Sequence, residues 1–231
     1  MKTTTLLRAT LPALCLAVVS CAVQAQEEWV SYRDAYKQMV VFAKYGKPKN
    51  FLQIHYQVSP RDASATLEGL HLTLTGKNTQ LNLPLDAAGR TVFPLLKAAY
   101  DDNAVLALNR KLLHYRFVPR VSIMARNDGI YESADLRAAC EQALAYQRYV
   151  DASYGAKKCS GVRFVFVNRA DALVQVKFGQ REAPLPVVDG PAFEGETVGS
   201  YRTATYRFAD WSVQGQVVSQ NTPLAIAPLY E

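Results

Sequence analysis

Between residues 31 and 45, Tyr32, Ala35, Tyr36, Met39, Phe42 and Ala43 recur at steps of three and four, which places them on one face of a helix. Ser31 stands where a hydroxyl caps a first turn, and Gly46 where a helix stops. The aromatic stripe reads as packing on the chain's own body, with docking to a partner or a membrane as the alternative. After Lys47-Pro48-Lys49-Asn50 the period drops from helical to two. Leu52, Ile54, Tyr56 and Val58 alternate with Gln53, His55 and Gln57, as a half-buried antiparallel strand requires. Leu70, Leu72 and Leu74 repeat the pattern, as do Leu81, Leu83 and Leu85 before a turn at Asp86-Ala87-Ala88-Gly89. The stretches 91–93, 105–108 and 113–124 continue in this style, with Pro94 and Pro119 favouring edges or bends.

Ser133 then precedes a second helical stretch, 134–150, in which Leu136, Ala139, Cys140, Ala143 and Leu144 share a face and Asp135 sits near the amino end. The run 162–167 is nearly continuous in apolar residues and predicts a central strand; 172–178 is expected to pair with it as a hairpin. Pro184, Pro186, Gly190, Pro191, Gly195 and Gly199 mark 180–199 as a long loop. Strand-like segments follow at 201–208 and 211–218, and the last ten residues, with Pro223 and Pro228, are expected to lie along the body or be mobile. The pattern predicts an α+β fold, mainly antiparallel and sandwich-like, with two helices: an α+β core domain over 26–178 and a β-rich extension over 179–231 packed on it.

The amino terminus changes the picture. Lys2 and Arg8, the apolar run 11–19 and the small residues ending at Ala25 follow the order of a secretion signal, so residues 1–25 are expected to be a signal peptide and the protein periplasmic or secreted. The apolar run is too short to span a bilayer, and no later segment predicts a transmembrane span. Val18-Val19-Ser20-Cys21 is similar to a lipobox, which gives an alternative: a mature form lipid-anchored through Cys21. Cleavage after Ala25 is preferred, because the folded part begins near Trp29 with almost no tether. It leaves 206 residues, and the loss of two basic groups lowers the net charge from +6 to +4. So mild and evenly spread a charge implies no nucleic-acid partner, though it would not repel an anionic envelope component.

Cys15 and Cys21 fall within the leader, leaving Cys140 and Cys159, an even pair bound for an oxidising compartment. They are expected to form a structural disulfide worth about 3 kcal/mol for a loop of this length. A redox-active pair would normally be spaced as C-x-x-C.

Chemistry is sparsely signalled. The motifs G-x-S-x-G and H-E-x-x-H are missing, S-x-x-K has no credible place, and there is no phosphate-cradling glycine loop, so no cofactor is implied and no catalytic residue is assigned. His55 and His71 lie on polar strand sides and could approach each other; without a third ligand the preferred reading is a pair of solvated residues and no metal site. Asp86, Asp101, Asp102 and Asp210 sit near turns, where carboxylates usually cap backbone N–H groups. Arg110, Lys111, His114, Arg116, Arg120 and Arg126 form the densest basic cluster, and His114, Arg116, Arg120 and Ser122 would share a strand face opposite Leu113, Tyr115 and Phe117. A candidate anion-binding set is therefore His114, Arg116, Arg120 and Arg126; the ordinary alternative is an exposed face kept soluble by charge. Tyr201, Tyr206 and Trp211, flanked by Gln214 and Gln216, are a candidate glycan-stacking set, with burial in a sheet as the alternative.

In Tyr32-Arg33-Asp34-Ala35-Tyr36-Lys37-Gln38, in the segment 81–89 and in Ala107-Leu108-Asn109, the chain resembles exported bacterial envelope proteins grouped as a domain of unknown function. The resemblance covers the first half of the mature chain and brings no catalytic residues with it. The segment 83–89 is also similar to turns in prealbumin-like sandwiches, an analogy of fold alone. The expected function is non-catalytic: an exported periplasmic protein binding an anionic envelope component or another envelope protein. The alternative is a hydrolase acting on an envelope polymer.

Overall fold

The computed structural model describes residues 29–168, 171–196 and 198–231; the expected leader, with Cys15 and Cys21, lies outside the described residues. Strand β1 (Trp29–Ser31) runs straight into α1 (Tyr32–Lys44), opened by the Ser31 hydroxyl, which accepts from the Asp34 amide at 3.3 Å. Gly46 does not end this helix. Tyr45 caps it, and the Lys49 ammonium folds back to donate to the carbonyls of Phe42 (2.6 Å), Ala43 (2.9 Å) and Tyr45 (2.9 Å), so a cation satisfies the open carboxyl end.

There follow β2 (Leu52–Pro60), β3 (Leu72–Thr75), β4 (Gln80–Leu83), β5 (Arg90–Thr91), α2 (Lys97–Asp101), β6 (Val105–Leu108), β7 (Tyr115–Ile123), β8 (Ile130–Glu132) and α3 (Ser133–Val150). The chain continues through β9 (Cys159–Phe166), β10 (Val174–Phe178), β11 (Arg181–Pro184), β12 (Val187–Gly190), β13 (Tyr201–Arg207), β14 (Gln216–Ser219) and β15 (Ala225–Tyr230). The strands form two four-stranded sheets, ordered β1-β6-β3-β4 and β11-β10-β14-β8, and a seven-stranded sheet ordered β12-β13-β9-β15-β7-β2-β5. Every pairing is antiparallel, so the fold is α+β and mainly antiparallel, with a five-residue third helix beyond the two expected.

Two cores lie on one face of the large sheet. In the first, Tyr32, Ala35 and Met39 of α1 meet Tyr56 and Val58 of β2 and Leu72, Leu74 and Leu106 of the first small sheet. In the second, Leu136, Ala139, Cys140 and Ala143 of α3 meet Val162, Phe164 and Phe166 of β9, with Val174, Val176 and Val217 of the other small sheet. Each large side chain buried this way contributes about 2 kcal/mol. A disulfide joins Cys140 to Cys159, Cα atoms 6.0 Å apart, and ties α3 to the start of β9. On the opposite face, Val165, Ala225, Ala227 and Tyr201 pack with Ala192 and Phe193 of the loop that follows β12. Strand β9 is thus buried on both sides, which accounts for its nearly continuous apolar run; Arg163, the one interruption between Val162 and Phe166, donates to the Pro191 carbonyl at 3.0 Å.

Four expectations need correction. The segment after β9 is not its hairpin partner: β10 pairs with β11 and β14 in a separate sheet, while β13 and β15 flank β9. The stretch 180–199 contains two strands, β11 and β12, before its loop. The strand expected to begin at Leu113 begins at Tyr115, because Leu112–His114 form a 3-10 turn. The closing residues neither trail nor lie on the surface: β15 is the middle strand of the seven, pairing with β9 along its length and meeting β7 at Ile226–Ile123.

Candidate functional site

Alternation along β7 places Arg116, Val118, Arg120 and Ser122 on the sheet face away from the helices. The β2 register sets Ser59, Gln57, His55 and Gln53 opposite them, and Gln57 faces Arg90 on its other side. The result is a polar patch, and the chain covers it itself. The loop after β12 drives Glu196 into it. The side chain is 4% exposed, its Oε1 accepts from Gln57 Nε2 at 2.9 Å and lies 3.6 Å from Arg120 Nη2, and its Oε2 accepts from the Phe193 amide at 3.2 Å. Arg120 Nε donates to Gln57 Oε1 at 2.8 Å, and the Phe193 ring lies 4.7 Å from its guanidinium and 5.8 Å from that of Arg90. Burial works against the Arg120 charge and the Glu196 carboxylate supports it. Arg90 is held by Asp86, whose carboxylate also caps the amides of Ala88 and Arg90 at 2.9 Å, and it donates to the Leu224 carbonyl.

The structure therefore brings only Arg116 and Arg120 of the candidate anion set together, and Arg120 already holds an internal anion. Arg126 lies beyond the end of β7, bidentate on Asp128 at 3.1 and 2.8 Å; that hydrogen bonding pulls the Asp128 pKa down to about 2. His114 sits in the 3-10 turn with Nδ1 3.6 Å from Asp62, whose other oxygen accepts from the Ser64 hydroxyl. In this surface cluster the carboxylate lies between serine and histidine, so the imidazole cannot take the serine proton as a nucleophilic relay requires. His55 has no hydrogen-bond partner at its buried Nδ1; burial first, then the Arg90 charge, pushes its pKa below 6.5. Strands β2 and β3 belong to different sheets, so His55 and His71 do not face each other across a ladder. Among the described residues no group of three His, Cys, Asp or Glu is placed to hold a metal ion.

The aromatic set also divides. Tyr201 is buried on the far face, its hydroxyl donating to the Ala87 carbonyl at 3.2 Å and its pKa pushed up to about 12, chiefly by burial. Tyr206 is fully buried and donates to Ser133 Oγ at 3.0 Å. Tyr201 edges one cleft, of about 300 Å³, with Ala87 and Leu67, while Trp211 lines a separate one of about 260 Å³ between the β10–β11 hairpin and the turn after β13. Its position is fixed from below: Tyr206 stacks on it with ring centres 6.4 Å apart, and Arg137 of α3 donates to the carbonyls of Phe208 (2.6 Å) and Trp211 (2.8 Å).

Phe178, Arg181, Glu182, Asp210 and Gln214 complete the cleft with Trp211. Phe178 is 45% exposed, unusual for so large an apolar ring. Glu182 pairs with Lys177 at 2.8 Å, and Gln216, expected beside the aromatic set, instead donates to Glu132 at 2.7 Å. Sequence reasoning missed Phe178, Arg181 and Glu182 although a signal was present. Gly179-Gln180 forms a two-residue hairpin turn with Phe178 opposite Arg181, and Gly179 takes the positive φ (+59°) that a type II′ turn needs at its first central residue.

Two aromatic rings lining one cleft with carboxylate, amide and guanidinium groups suit a polyhydroxylated ligand: rings can cover apolar C–H faces, and planar polar groups can bind neighbouring hydroxyls in pairs. No helix among the described residues is long and apolar enough to cross a membrane. No family model matches the chain, and neither curated proteins nor solved structures give a significant match.

Proposed function

We propose that this is an exported, non-catalytic binding protein of the bacterial envelope whose ligand is a saccharide held in the cleft between Phe178 and Trp211. The observation that carries this reading is a half-exposed phenylalanine sharing a cleft with a tryptophan braced by Tyr206 and Arg137, where Arg181, Asp210 and Gln214 also line the walls. Export and an envelope location rest on the leader pattern and on the resemblance over residues 32–38 and 81–89. The basic strand face supports an external anion less well, since Glu196, Asp128 and Asp62 already stand beside Arg120, Arg126 and His114.

The hydrolase reading gains one observation, two carboxylates (Glu182 and Asp210) on the same cleft. Glu182, however, is about half exposed and ion-paired, whereas a glycosidic general acid needs a carboxyl sequestered in apolar surroundings.

Co-sedimentation with purified cell-wall sacculi and calorimetry against soluble wall oligosaccharides test the proposal. Saturable binding is expected, weakened about tenfold by Trp211→Ala or Phe178→Ala, the loss that goes with roughly 1.4 kcal/mol of ring contact. Binding unaffected by both variants would remove the cleft from consideration. Release of reducing ends, abolished by Glu182→Gln, would establish the hydrolase instead.

A further inference from the structure

The seven-stranded sheet is open in its interior. Strand β7 pairs with β2 over its full length, from Leu52–Ile123 to Pro60–Tyr115. The Met124 amide bonds to the Phe51 carbonyl, so Leu52 and Ile123 flank a hydrogen-bonded ring instead of bonding each other. Counting along the ladder from there, the main-chain groups of 117, 119 and 121 point away from β2. On that side β15 meets β7 only at Ile226–Ile123, and no strand among the described residues lies alongside 117–121. Beside this edge a groove of about 350 Å³ is lined by Val41 of α1, Phe117, Pro119 and Val121 of β7, and Tyr146 and Val150 of α3.

We propose that the open edge of β7 is a strand-addition site for an extended, acidic segment of a partner protein. Such a segment would exchange main-chain hydrogen bonds at 117 and 121 and donate to the carbonyl of Pro119, which has no N–H of its own. Its side chains would alternate, one set entering the groove and the other lying on the opposite face beside Arg116, since Arg120 is already covered by Glu196 and Phe193. Charge selects the occupant. Arg116 has no carboxylate partner among the described residues, and a carboxylate on the incoming strand would supply one. A second copy would bring no carboxylate to Arg116: antiparallel pairing centred on Val118 would set Arg116 of each copy against Arg120 of the other, a cation whose charge Glu196 already matches. Pro119 weakens that self-pairing further, because a proline on an edge strand blunts indiscriminate association.

The probe is a fluorescein-labelled octapeptide of alternating valine and glutamate, compared with its valine–lysine counterpart and with the acidic peptide N-methylated at alternate residues. Anisotropy should show the acidic peptide binding at least tenfold more tightly than the basic one, with affinity falling as salt rises, and N-methylation should abolish binding. Hydrogen exchange should show new protection at the amides of Phe117 and Val121. Arg116→Glu should reverse the charge preference, and Val150→Asp should weaken binding of the acidic peptide, both with unchanged circular dichroism. Equal binding of the two charges, unchanged exchange at 117 and 121, or protection there that grows with protein concentration alone would each overturn the proposal, the last in favour of self-association.

Discussion

A carboxylate as buried as that of Glu196 is tolerated only where its charge is compensated, and here Arg120, Gln57 and the Phe193 amide do so together. Glu196→Ala would leave the Arg120 guanidinium charged and short of a partner, and should cost on the order of 3 kcal/mol, read as a lower urea midpoint at constant m-value. A second prediction concerns acid. The folded pKa of His55 lies below 6.5, so as pH falls through that value the unfolded chain takes up its proton first and stability drops. Between about pH 7 and pH 5.5 the urea midpoint should therefore decline, and His55→Gln should flatten the slope. A midpoint equally steep in the variant would show that other groups carry the dependence. The sequence placed Arg116, Arg120 and Ser122 on one face correctly, as alternation alone dictates. It could not reveal Glu196, which lies 76 residues further along and reaches that face only through the loop after β12.

Among the elements, α3 and β9 depend most on a single covalent link. Replacing both Cys140 and Cys159 by alanine should lower stability by about 3 kcal/mol through the entropy returned to the unfolded chain, measurable as a drop in Tm, while far-ultraviolet dichroism stays native. Retention of the full Tm would mean that packing of Leu136, Ala139 and Ala143 alone fixes the helix. Elements with a clean period were legible: α1 and α3 from three- and four-residue spacing, β2 and β3 from alternation, β9 from its apolar run. Partnerships were not. Strand β10 follows β9 by seven residues, and proximity in sequence suggested a hairpin. Its buried Val174 and Val176 instead enter the same core as α3 and β9 from another sheet, a choice set by the shape of the whole core.

At the scale of the molecule the least legible feature was β15. Two prolines in its neighbourhood suggested a tail, yet Pro228 is accommodated where β15 and β7 have already diverged. Deleting 225–231 removes the strand between β9 and β7 and with it Ile226, fully buried in the larger core. Such a chain should fail to fold cooperatively: broad or absent thermal unfolding and bound hydrophobic dye, against a sharp transition for the full chain. A sharp transition in the truncated protein would show that the two halves are held together by α3 and the loops.

Because β15 comes after every strand it joins, a chain emerging amino end first has β9 available 59 residues before its partner. At ribosomal speed that is an interval of roughly 3 to 12 s. Throughout it the flanks of two half-assembled ribbons are sticky, and a holding factor or prompt passage through a translocation pore would be what keeps neighbouring nascent molecules from knitting together.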